Sequence, residues 1–306
     1  MNFPESFLRG AAWARAGRFL GLRRIIGLLA VACLLQACSA VRIVYNQAPE
    51  LAYLYLDRQL DLSDAQTLQV KDELGKLQAW HRKSQLPVYV EALQKLQQRL
   101  PADMAPEQAC ALWADAKQKL MTVAEQAQPA AAQVVGTLGA RQLAHLERRF
   151  AKMNAEFRDD YLDGPPQKSR DKRYEQTVNR AEMLYGGLEE KQLAVLGQQA
   201  DQSRFDAQLS YAEKLRRQQD LLQTLRPLIA GQAAPEKIQL ALRGLTERAL
   251  VSPNPVYRDY MAALTQQGCR SFAELHNSST PEQRGKAVQK LGSYARHFKA
   301  LGTQRP

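Results

Sequence analysis

The chain has 306 residues, with 42 lysines and arginines against 31 acidic residues and a formal net charge of +11 at neutral pH. This length is compatible with one large domain or two small ones. Plentiful Ala, Leu, Gln, Glu, Lys and Arg, with only 7% aromatic residues, favour helices over strands. No run approaches the roughly 20 apolar residues of a transmembrane helix, which excludes a chain that crosses the membrane several times.

The N-terminal segment has the order of regions that is typical of a secretory signal. Five arginines between positions 9 and 24 precede the uncharged apolar run Ile25–Leu35. Eleven residues of helix span only about 16 Å, which is too short for a bilayer core but suits the apolar region of a signal peptide.

The next residues, Leu35-Gln36-Ala37-Cys38, resemble a bacterial lipobox. The resemblance implies cleavage after Ala37 and a lipid on Cys38, through which the mature protein would bind the membrane. We therefore predict a lipoprotein signal peptide at residues 1–37 and a single helical periplasmic domain at 38–306, with a sub-division near 163–166 left open. The alternative is an ordinary buried cysteine in an N-terminal helix.

The predicted lipid also indicates a compartment. Three acyl chains on one residue anchor a protein firmly, because two chains already suffice for stable binding. Ser39 stands where lipoproteins kept in the inner membrane usually have Asp. We therefore expect the periplasmic face of the outer membrane in preference to the inner membrane.

Charge and compartment together limit the partners. Residues 38–306 contain 37 basic and 30 acidic residues, a mild net charge near +7. Behind a secretion signal this charge argues against nucleic acid as a partner. Envelope proteins, anionic phospholipid or lipopolysaccharide remain as partners, and solubility alone explains the charge equally well.

Apolar residues recur at spacings of three and four along nearly the whole chain, which predicts amphipathic helices, and no segment alternates convincingly as a strand. Helix starts are predicted at Pro49, at the capping box Ser63–Gln66, at Pro87 and at Pro106. The helix that begins at Ser63 is expected to end near Arg82.

Further along the chain, a well-defined apolar stripe between Leu143 and Tyr161 predicts one helix, which the turn Asp163–Pro166 ends. Another helix is predicted before Gly186-Gly187.

The apolar spacing then continues from Glu189 to Leu228. It predicts one helix of roughly 55–60 Å, and hence an elongated multi-helix bundle of the all-α class. A last helix is expected to begin with Thr280 as its cap, after three short helices near residues 235–250, 255–267 and 271–276.

Five of the predicted helix starts share a loose x-x-x-Gln pattern, which ends at Gln66, Gln108, Gln142, Gln192 and Gln283. The first, LSDAQ, resembles the Leu-Thr-x-x-Gln motif of small periplasmic stress chaperones, which are helical and basic. Ordinary capping boxes in a Gln-rich chain are the competing interpretation. Only Ser63 and Thr280 provide a capping hydroxyl.

Two blocks are similar to an uncharacterised family of Gram-negative helical lipoproteins whose domain has no assigned function. One is YNQAPELAYLYLD, Tyr45–Asp57, followed downstream by AWHRKSQLP, and the other is GCRSFAELHNSSTPEQR, Gly268–Arg284. The resemblance covers most of residues 38–301. It implies a helical fold and a lipoprotein, and it implies no activity.

The four histidines of the chain have no metal-ligand spacing, and we predict neither a metal nor a cofactor. A Gly-x-Ser-x-Gly elbow is also missing. His81 is expected near the C-terminal end of a helix and His276 in a loop, where convergence of the two would make a small polar site. Helix-cap and surface roles are the competing interpretation for both.

An aromatic and polar block formed by Tyr45, Asn46, Tyr53 and Tyr55 follows closely after the predicted anchor. Tyrosine is enriched at membrane interfaces, so the block is a candidate contact with the bilayer or with a partner protein. Ordinary core contacts of the first helix are the alternative.

Basic residues cluster at 148–152, 168–173 and 214–217. Interleaved acids favour solvated, self-paired faces, with an anion-binding face as the alternative.

The cysteines predict a covalent link between distant helices. Cys33 leaves with the signal peptide and Cys38 takes the lipid, so Cys110 and Cys269 remain in a compartment that oxidises thiols. We predict a disulfide between them. Two unpaired, buried thiols are the alternative.

These features predict an all-α, lipid-anchored envelope protein that acts as a binding, scaffold or chaperone-like module rather than as an enzyme. The alternative is an envelope hydrolase with a site in a helical cleft near His81 and His276. A deep pocket that joins either histidine to acids would favour the hydrolase. A shallow face lined by apolar and basic residues would favour binding.

Overall fold

The computed structural model describes residues 41–304, and within that range no residue lies in a strand. A boundary between Gln47 and Ala48 separates two compact units. Of the first unit, residues 41–47 are described, and residues 41–46 are helical. Within the described part of the second unit there are ten helices: α1 Ala48–Leu60, α2 Asp64–Arg99, α3 Pro106–Gly136, α4 Ala140–Tyr161, α5 Pro166–Tyr185, α6 Glu190–Asp201, α7 Ala207–Ala230, α8 Pro235–Leu250, α9 Pro255–Asn277 and α10 Pro281–Thr303.

The all-α class is confirmed, and several helix starts carry the predicted signals. Ser63 Oγ accepts from Gln66 N at 3.4 Å, while Gln66 Oε1 accepts from Ser63 N at 2.9 Å. Thr280 and Gln283 make the same reciprocal pair at 3.2 and 3.0 Å. Proline begins α3, α5, α8, α9 and α10, where its missing N–H would have no partner in the helix.

The helix start predicted at Pro87 is wrong, because α2 continues through Pro87 to Arg99. A proline inside a helix removes one backbone hydrogen bond and normally favours a kink or a break. Leu86, the preceding residue, is buried. In the part of the chain described, α2 and α10 share the most extensive contact between any two helices. This tertiary contact outweighs the local preference to break.

The single long helix predicted from Glu189 to Leu228 is also wrong. Helix α6 ends at Asp201 and α7 begins at Ala207. The Asp206 carboxylate caps α7 by accepting from Leu209 N at 2.9 Å. The connecting loop is short, so apolar positions on both sides keep helical spacing although the backbone leaves the helix between them.

Two groups of buried apolar residues form the core of the second unit. The larger group joins α3, α5, α6, α9 and α10, and includes Tyr185, Leu196, Leu275 and Leu291. The smaller group lies between α3, α7 and α8 and consists of Ala132, Leu228 and Ile238.

Buried glutamines connect the starts of helices that are far apart in sequence. Gln66 and Gln142 exchange amide hydrogen bonds, with Nε2–Oε1 distances of 3.2 and 2.8 Å. Each also donates to a carbonyl two residues before the other helix's cap, Gln66 to Thr137 O and Gln142 to Asp61 O. The N-termini of α2 and α4 are thereby joined side by side.

The same arrangement recurs at the starts of α6 and α10. Gln192 and Gln283 exchange two amide hydrogen bonds of 2.9 Å. Gln192 also donates to Ser278 O and Gln283 to Gly187 O, again two residues before the partner's cap. Both side chains are buried, so their amides depend on these partners.

The predicted disulfide is present and ties α3 to α9. Cys110 and Cys269 are separated by 159 positions and their alpha carbons lie 5.2 Å apart. Cys269 is buried within the larger core group. None of the helices described has both the length and the apolar composition needed to cross a bilayer.

Candidate functional site

The three predicted basic clusters are candidate surfaces for binding an anion. A cluster can do so only if its cations are not already paired with acids of the protein. Half of the ten basic residues in these clusters form ion pairs with nearby acids: Lys168, Arg170, Lys172, Arg216 and Arg217. In the second cluster Lys168 lies 2.9 Å from Asp159, and Lys172 lies 2.5 Å from Asp160. These pairs agree with the prediction of self-paired basic faces.

Arg170 of the same cluster is also paired, since its Nε donates to Asp201 at 2.7 Å. Arg149 of the first cluster donates to Gln59 at 3.4 Å.

The third cluster is organised around a buried carboxylate. Glu213 is 4% exposed and accepts from Arg216, Arg217 and Ser252 at 2.8 to 3.0 Å. Burial alone would raise the pKa of Glu213, but these hydrogen bonds together hold it below its usual value. Arg216 and Arg217 are therefore committed to the protein's own carboxylates, while Lys214 lies over the Phe157 ring with its Nζ 5.7 Å from the centroid.

Arg173 differs from the other three basic residues of the second cluster, which all form ion pairs with acids. Its Nε is buried and has no hydrogen-bond partner within residues 41–304. Its guanidinium lies over the Phe205 ring, with the Cζ atom 5.1 Å from the ring centroid. Burial and the nearby charge of Arg170 lower the pKa of Arg173 below its ordinary value. The Nε of Arg173 is therefore shielded from water, and no carboxylate pairs with the guanidinium in the part of the chain described.

Arg173 lies beside a groove between α5, α6 and α9, which we call the α5–α9 groove. Its volume is about 470 Å³, within the range of sites that bind small molecules. Apolar side chains predominate along it: Ala181, Leu184, Leu196, Leu264, Phe272 and Leu275. Arg173 and Arg180 are the charged residues among the described side chains that line it, and no acid is among them.

The polar side chains of the groove are mostly committed to the protein itself. Thr177 donates to Arg173 O at 2.8 Å, and Gln199 donates to Glu274 Oε2 at 2.7 Å. Gln267 donates to Gln202 O and accepts from Arg204 N, both at 2.8 Å. The two arginines are thus the main polar groups left for a ligand.

A second groove lies between α1, α2 and α3 and has a volume of about 460 Å³. It is lined mainly by aliphatic side chains, including Leu56, Val70 and Leu77, with Glu73 and Lys76 as its charged residues. These two form an ion pair of 2.7 Å. The second groove therefore offers apolar surface without a charge that would select a ligand.

His276 does not lie in a loop, as predicted, but in the last turn of α9, and it is fully buried. Its Nε2 lies 2.9 Å from Ala102 O and must donate there, because a carbonyl only accepts. Its Nδ1 then accepts from the Tyr185 hydroxyl at 2.8 Å. Both ring nitrogens are occupied, which leaves none to act as a base toward a substrate.

The environment of this pair favours the neutral forms. Burial lowers the pKa of His276 and raises the pKa of Tyr185 to about 12. His276 and Tyr185 are core residues that join α9, α5 and the loop before α3.

His81 lies inside α2 rather than near its C-terminal end, because the helix continues to Arg99. Its ring packs edge-on against Tyr89 with centroids 5.3 Å apart, and burial lowers the pKa of His81. The rings around His276 are Tyr185 and Phe272 instead. The structure therefore places the two histidines in separate surroundings and does not form the small polar site that their convergence would have made.

The block after the predicted anchor is divided between the two units. Tyr45 and Asn46 belong to the first unit and Tyr53 and Tyr55 to the second. The Lys71 ammonium lies 4.2 Å from the centroid of the Tyr53 ring, whereas Tyr55 is exposed.

Two leucines near Tyr55, Leu51 and Leu54, are also about half exposed, so α1 carries a partly exposed apolar face. Cys38 lies outside the described residues, as do the predicted signal peptide and lipobox.

Within residues 41–304, no group of three or more His, Cys, Asp and Glu is arranged to hold a metal ion. The α5–α9 groove was not predicted from the sequence. A usable signal exists, because Arg173, Thr177, Arg180, Ala181 and Leu184 recur on one helical face. A helical face that packs into the core is normally apolar throughout, so arginines among apolar residues on one face indicate an amphipathic binding surface.

Comparison with known proteins gives a family and no activity. No curated protein and no solved structure matches the chain. Residues 58–244 match a family described as a family of unknown function, DUF6279. The match includes AWHRKSQLP but neither Tyr45–Asp57 nor Gly268–Arg284, the two blocks on which the predicted resemblance rested. Since the matched residues are more than half of the chain, the protein belongs to DUF6279.

Proposed function

We propose that this protein is a lipid-anchored binding module of the bacterial envelope and that the α5–α9 groove is its binding site. The observation that carries the proposal is the lining of this groove, where apolar side chains and two arginines occur without an acid. A hydrolytic site needs a base that can reach its substrate. Both nitrogens of His276 are already bonded within the core, so we do not propose the hydrolase.

The proposed anchor gives the groove a location. A lipid on Cys38 would hold the second unit at the membrane surface, about ten residues from the start of α1. The partly exposed apolar face of α1, with Leu51, Leu54 and Tyr55, then lies in the part of the chain nearest the anchor, which supports a contact with the bilayer. The groove, formed by later helices, would remain open to ligands or partners in the periplasm.

The proposal is tested by filling the groove. Gly268 lies on α9 at the groove, and a Cβ added there meets no atom within 4 Å. Gly268→Phe should therefore fold and place a ring in the groove. Gly75→Phe is the matched control, because Gly75 is an exposed glycine inside α2 with equally open surroundings.

The readout is the attachment of an uncharged, photoreactive apolar dye to groove residues of the purified proteins, located by mass spectrometry so that dye in the second groove is not counted. We expect the wild type and Gly75→Phe to bind the dye alike and Gly268→Phe to bind it about tenfold more weakly. Equal binding by all three proteins, with unchanged melting temperatures, would show that the groove is not a binding site.

A further inference from the structure

We infer that the α5–α9 groove binds a single-chain amphiphile with an anionic head group, the head at Arg173 and the hydrocarbon chain along the apolar lining. This inference rests on the proposed function and names the chemical class of the ligand. It follows from three features of the groove: its polarity along its length, its uncompensated charge, and the commitment of its other polar groups.

The groove has a charged end and an apolar end. Helices α5 and α6 run antiparallel, since Arg170 near the start of α5 reaches Asp201 at the end of α6. Helices α6 and α9 are also antiparallel, because Gln199 bonds Ser271 O while Gln267 bonds Gln202 O.

Because the directions of the three helices are known, each lining residue can be assigned to one end of the groove or the other. Arg173, Ser203 and Gln267 belong to one end, where Leu264 is the apolar residue. Leu184, Leu196 and Leu275 belong to the other. A ligand that matches this order carries its polar group at one end and hydrocarbon at the other.

The charge at the polar end is not neutralised by the protein. Arg170 has Asp201 and Asp171 as partners, whereas Arg173 has no ion pair and its Nε lacks an acceptor within the described residues. Leaving a buried donor without a partner costs about 1–3 kcal/mol, and more for a charged group. An anion at this end would meet the accessible side of the guanidinium and provide the missing counter-charge.

Arg180 extends this positive charge along the groove. It lies seven residues after Arg173 on the same face of α5 and has no ion pair in the part of the chain described. No acid lines the groove to repel an anion. A cationic amphiphile would instead meet two like charges without a compensating carboxylate.

The remaining polar groups argue against an extended peptide as the ligand. A peptide needs partners for its backbone N–H and C=O groups along its whole length. The walls of the groove are helices whose backbone groups are bonded internally, and Thr177, Gln199 and Gln267 are committed to protein partners. A hydrocarbon chain needs no such partners and gains from burial against Leu184, Leu196 and Phe272.

The test uses three photoreactive probes with the same sixteen-carbon chain: a carboxylic acid, a primary alcohol and a trimethylammonium. Each probe is added to the full-length protein in nanodiscs of zwitterionic lipid, and the labelled residues are located by mass spectrometry. The variants are Arg173→Gln and Arg180→Gln, with Arg141→Gln as the control. Arg141 is an exposed arginine on α4 that pairs with Asp61 and does not line the groove.

We expect the acid to label groove residues about tenfold more efficiently than the alcohol, the size of one charge-assisted hydrogen bond. The ammonium probe should label them least. Arg173→Gln should reduce labelling by the acid about tenfold and leave labelling by the alcohol unchanged, while Arg141→Gln should change neither. Arg180→Gln alters an exposed position, so it provides the same comparison if Arg173→Gln fails to fold.

Two results would overturn the inference and are distinguishable. If acid and alcohol label the groove equally and Arg173→Gln has no effect, the groove binds apolar ligands but does not select an anionic head. If none of the probes labels the groove, or if Gly268→Phe does not block labelling, the proposed binding site itself is wrong. Recovery of a tightly bound peptide from the groove would exclude the amphiphile as its natural occupant.

Discussion

His276 and Tyr185 show how a residue that attracts a functional interpretation becomes part of the core. The imidazole fixes its tautomer by donating to Ala102 O and accepting from Tyr185, so one side chain satisfies groups on two separate segments. Arg284 and Asp103 act on the pKa of His276 in opposite directions through their charges, Arg284 lowering it and Asp103 raising it. A buried, fully bonded histidine contributes to stability as long as it stays neutral.

We predict that the stability of the protein decreases as the pH falls through 6.5. Burial lowers the pKa of His276 in the folded state, whereas a histidine in the unfolded chain titrates near 6.5. Below that pH the unfolded state binds more protons, so unfolding becomes easier, by up to about 1.4 kcal/mol per pH unit for one histidine. Urea unfolding at pH 7.0 and pH 5.5 measures this loss.

The matched comparison for this pH dependence is His276→Gln, which should unfold more readily at pH 7.0 but lose less stability between the two pH values. His81, whose pKa burial also lowers, contributes in the same direction, so the double variant with His81→Gln should be least sensitive to pH. If the wild type has the same stability at both pH values, the prediction that His276 is held neutral by burial is wrong.

At the scale of elements, the x-x-x-Gln starts have two roles that the sequence pattern does not separate. All five glutamines accept from the N–H of their own helix cap, at 2.8 to 3.0 Å. Four of them also pair across the fold, Gln66 with Gln142 and Gln192 with Gln283. Gln108 is exposed and meets no second glutamine among the described residues. The pairs position whole helices, whereas Gln108 only starts one.

We predict that Gln192→Leu destabilises the protein by about 2–3 kcal/mol, because it removes a cap and leaves the Gln283 amide and Ser278 O short of partners in a buried site. Gln108→Leu loses only its cap contact and should cost less than about 1 kcal/mol. Urea unfolding midpoints compare the two. Equal losses for both variants would mean that the buried pairs add nothing to ordinary capping.

At the scale of the whole molecule, a long-range covalent link organises the fold. The disulfide closes a loop that contains the turn at Asp163–Pro166, and this turn lies within the second compact unit. The same bond joins α3 to the helix that forms one wall of the α5–α9 groove. Loss of the disulfide should therefore lower the stability of the protein and weaken ligand binding in the groove.

We predict that replacing both cysteines, Cys110→Ala with Cys269→Ala, lowers the stability of the protein by several kcal/mol. The chain-entropy account gives about 5 kcal/mol for a loop of 159 residues, an upper figure because unfolded chains keep some structure. Thermal unfolding of the double variant measures the loss. Two alkylatable thiols in the native, unreduced protein would contradict the bond directly.

The proposed anchor predicts that Cys38→Ala blocks lipid attachment and signal-peptide cleavage. The variant should accumulate as a precursor about 37 residues longer than the mature protein and should incorporate no labelled fatty acid. Electrophoresis after metabolic labelling gives the answer. Ser39→Asp provides a control, because it should leave lipidation intact while changing the membrane in which the protein is found. A Cys38→Ala variant that is processed like the wild type would exclude the lipobox.

The sequence by itself determined those features whose physical cause is local. Helical spacing gave the all-α class, and the hydroxyls of Ser63 and Thr280 with glutamine three residues later located two helix starts. Elimination among four cysteines identified the pair that forms the disulfide.

Only the tertiary structure decided what depends on residues distant in sequence. Helix α2 continues through Pro87 because another helix supports it, while the apolar spacing across 202–206 conceals a loop. The glutamine pairs join helix starts 76 and 91 residues apart. The face of α5 that carries Arg173 and Arg180 is visible in the sequence, but the α5–α9 groove forms only where α6 and α9 pack beside that face. Pairing of charges and amides between distant helices produces no periodic pattern in the sequence. For that reason only the folded structure shows that Arg173 has a buried Nε without a partner among the described residues.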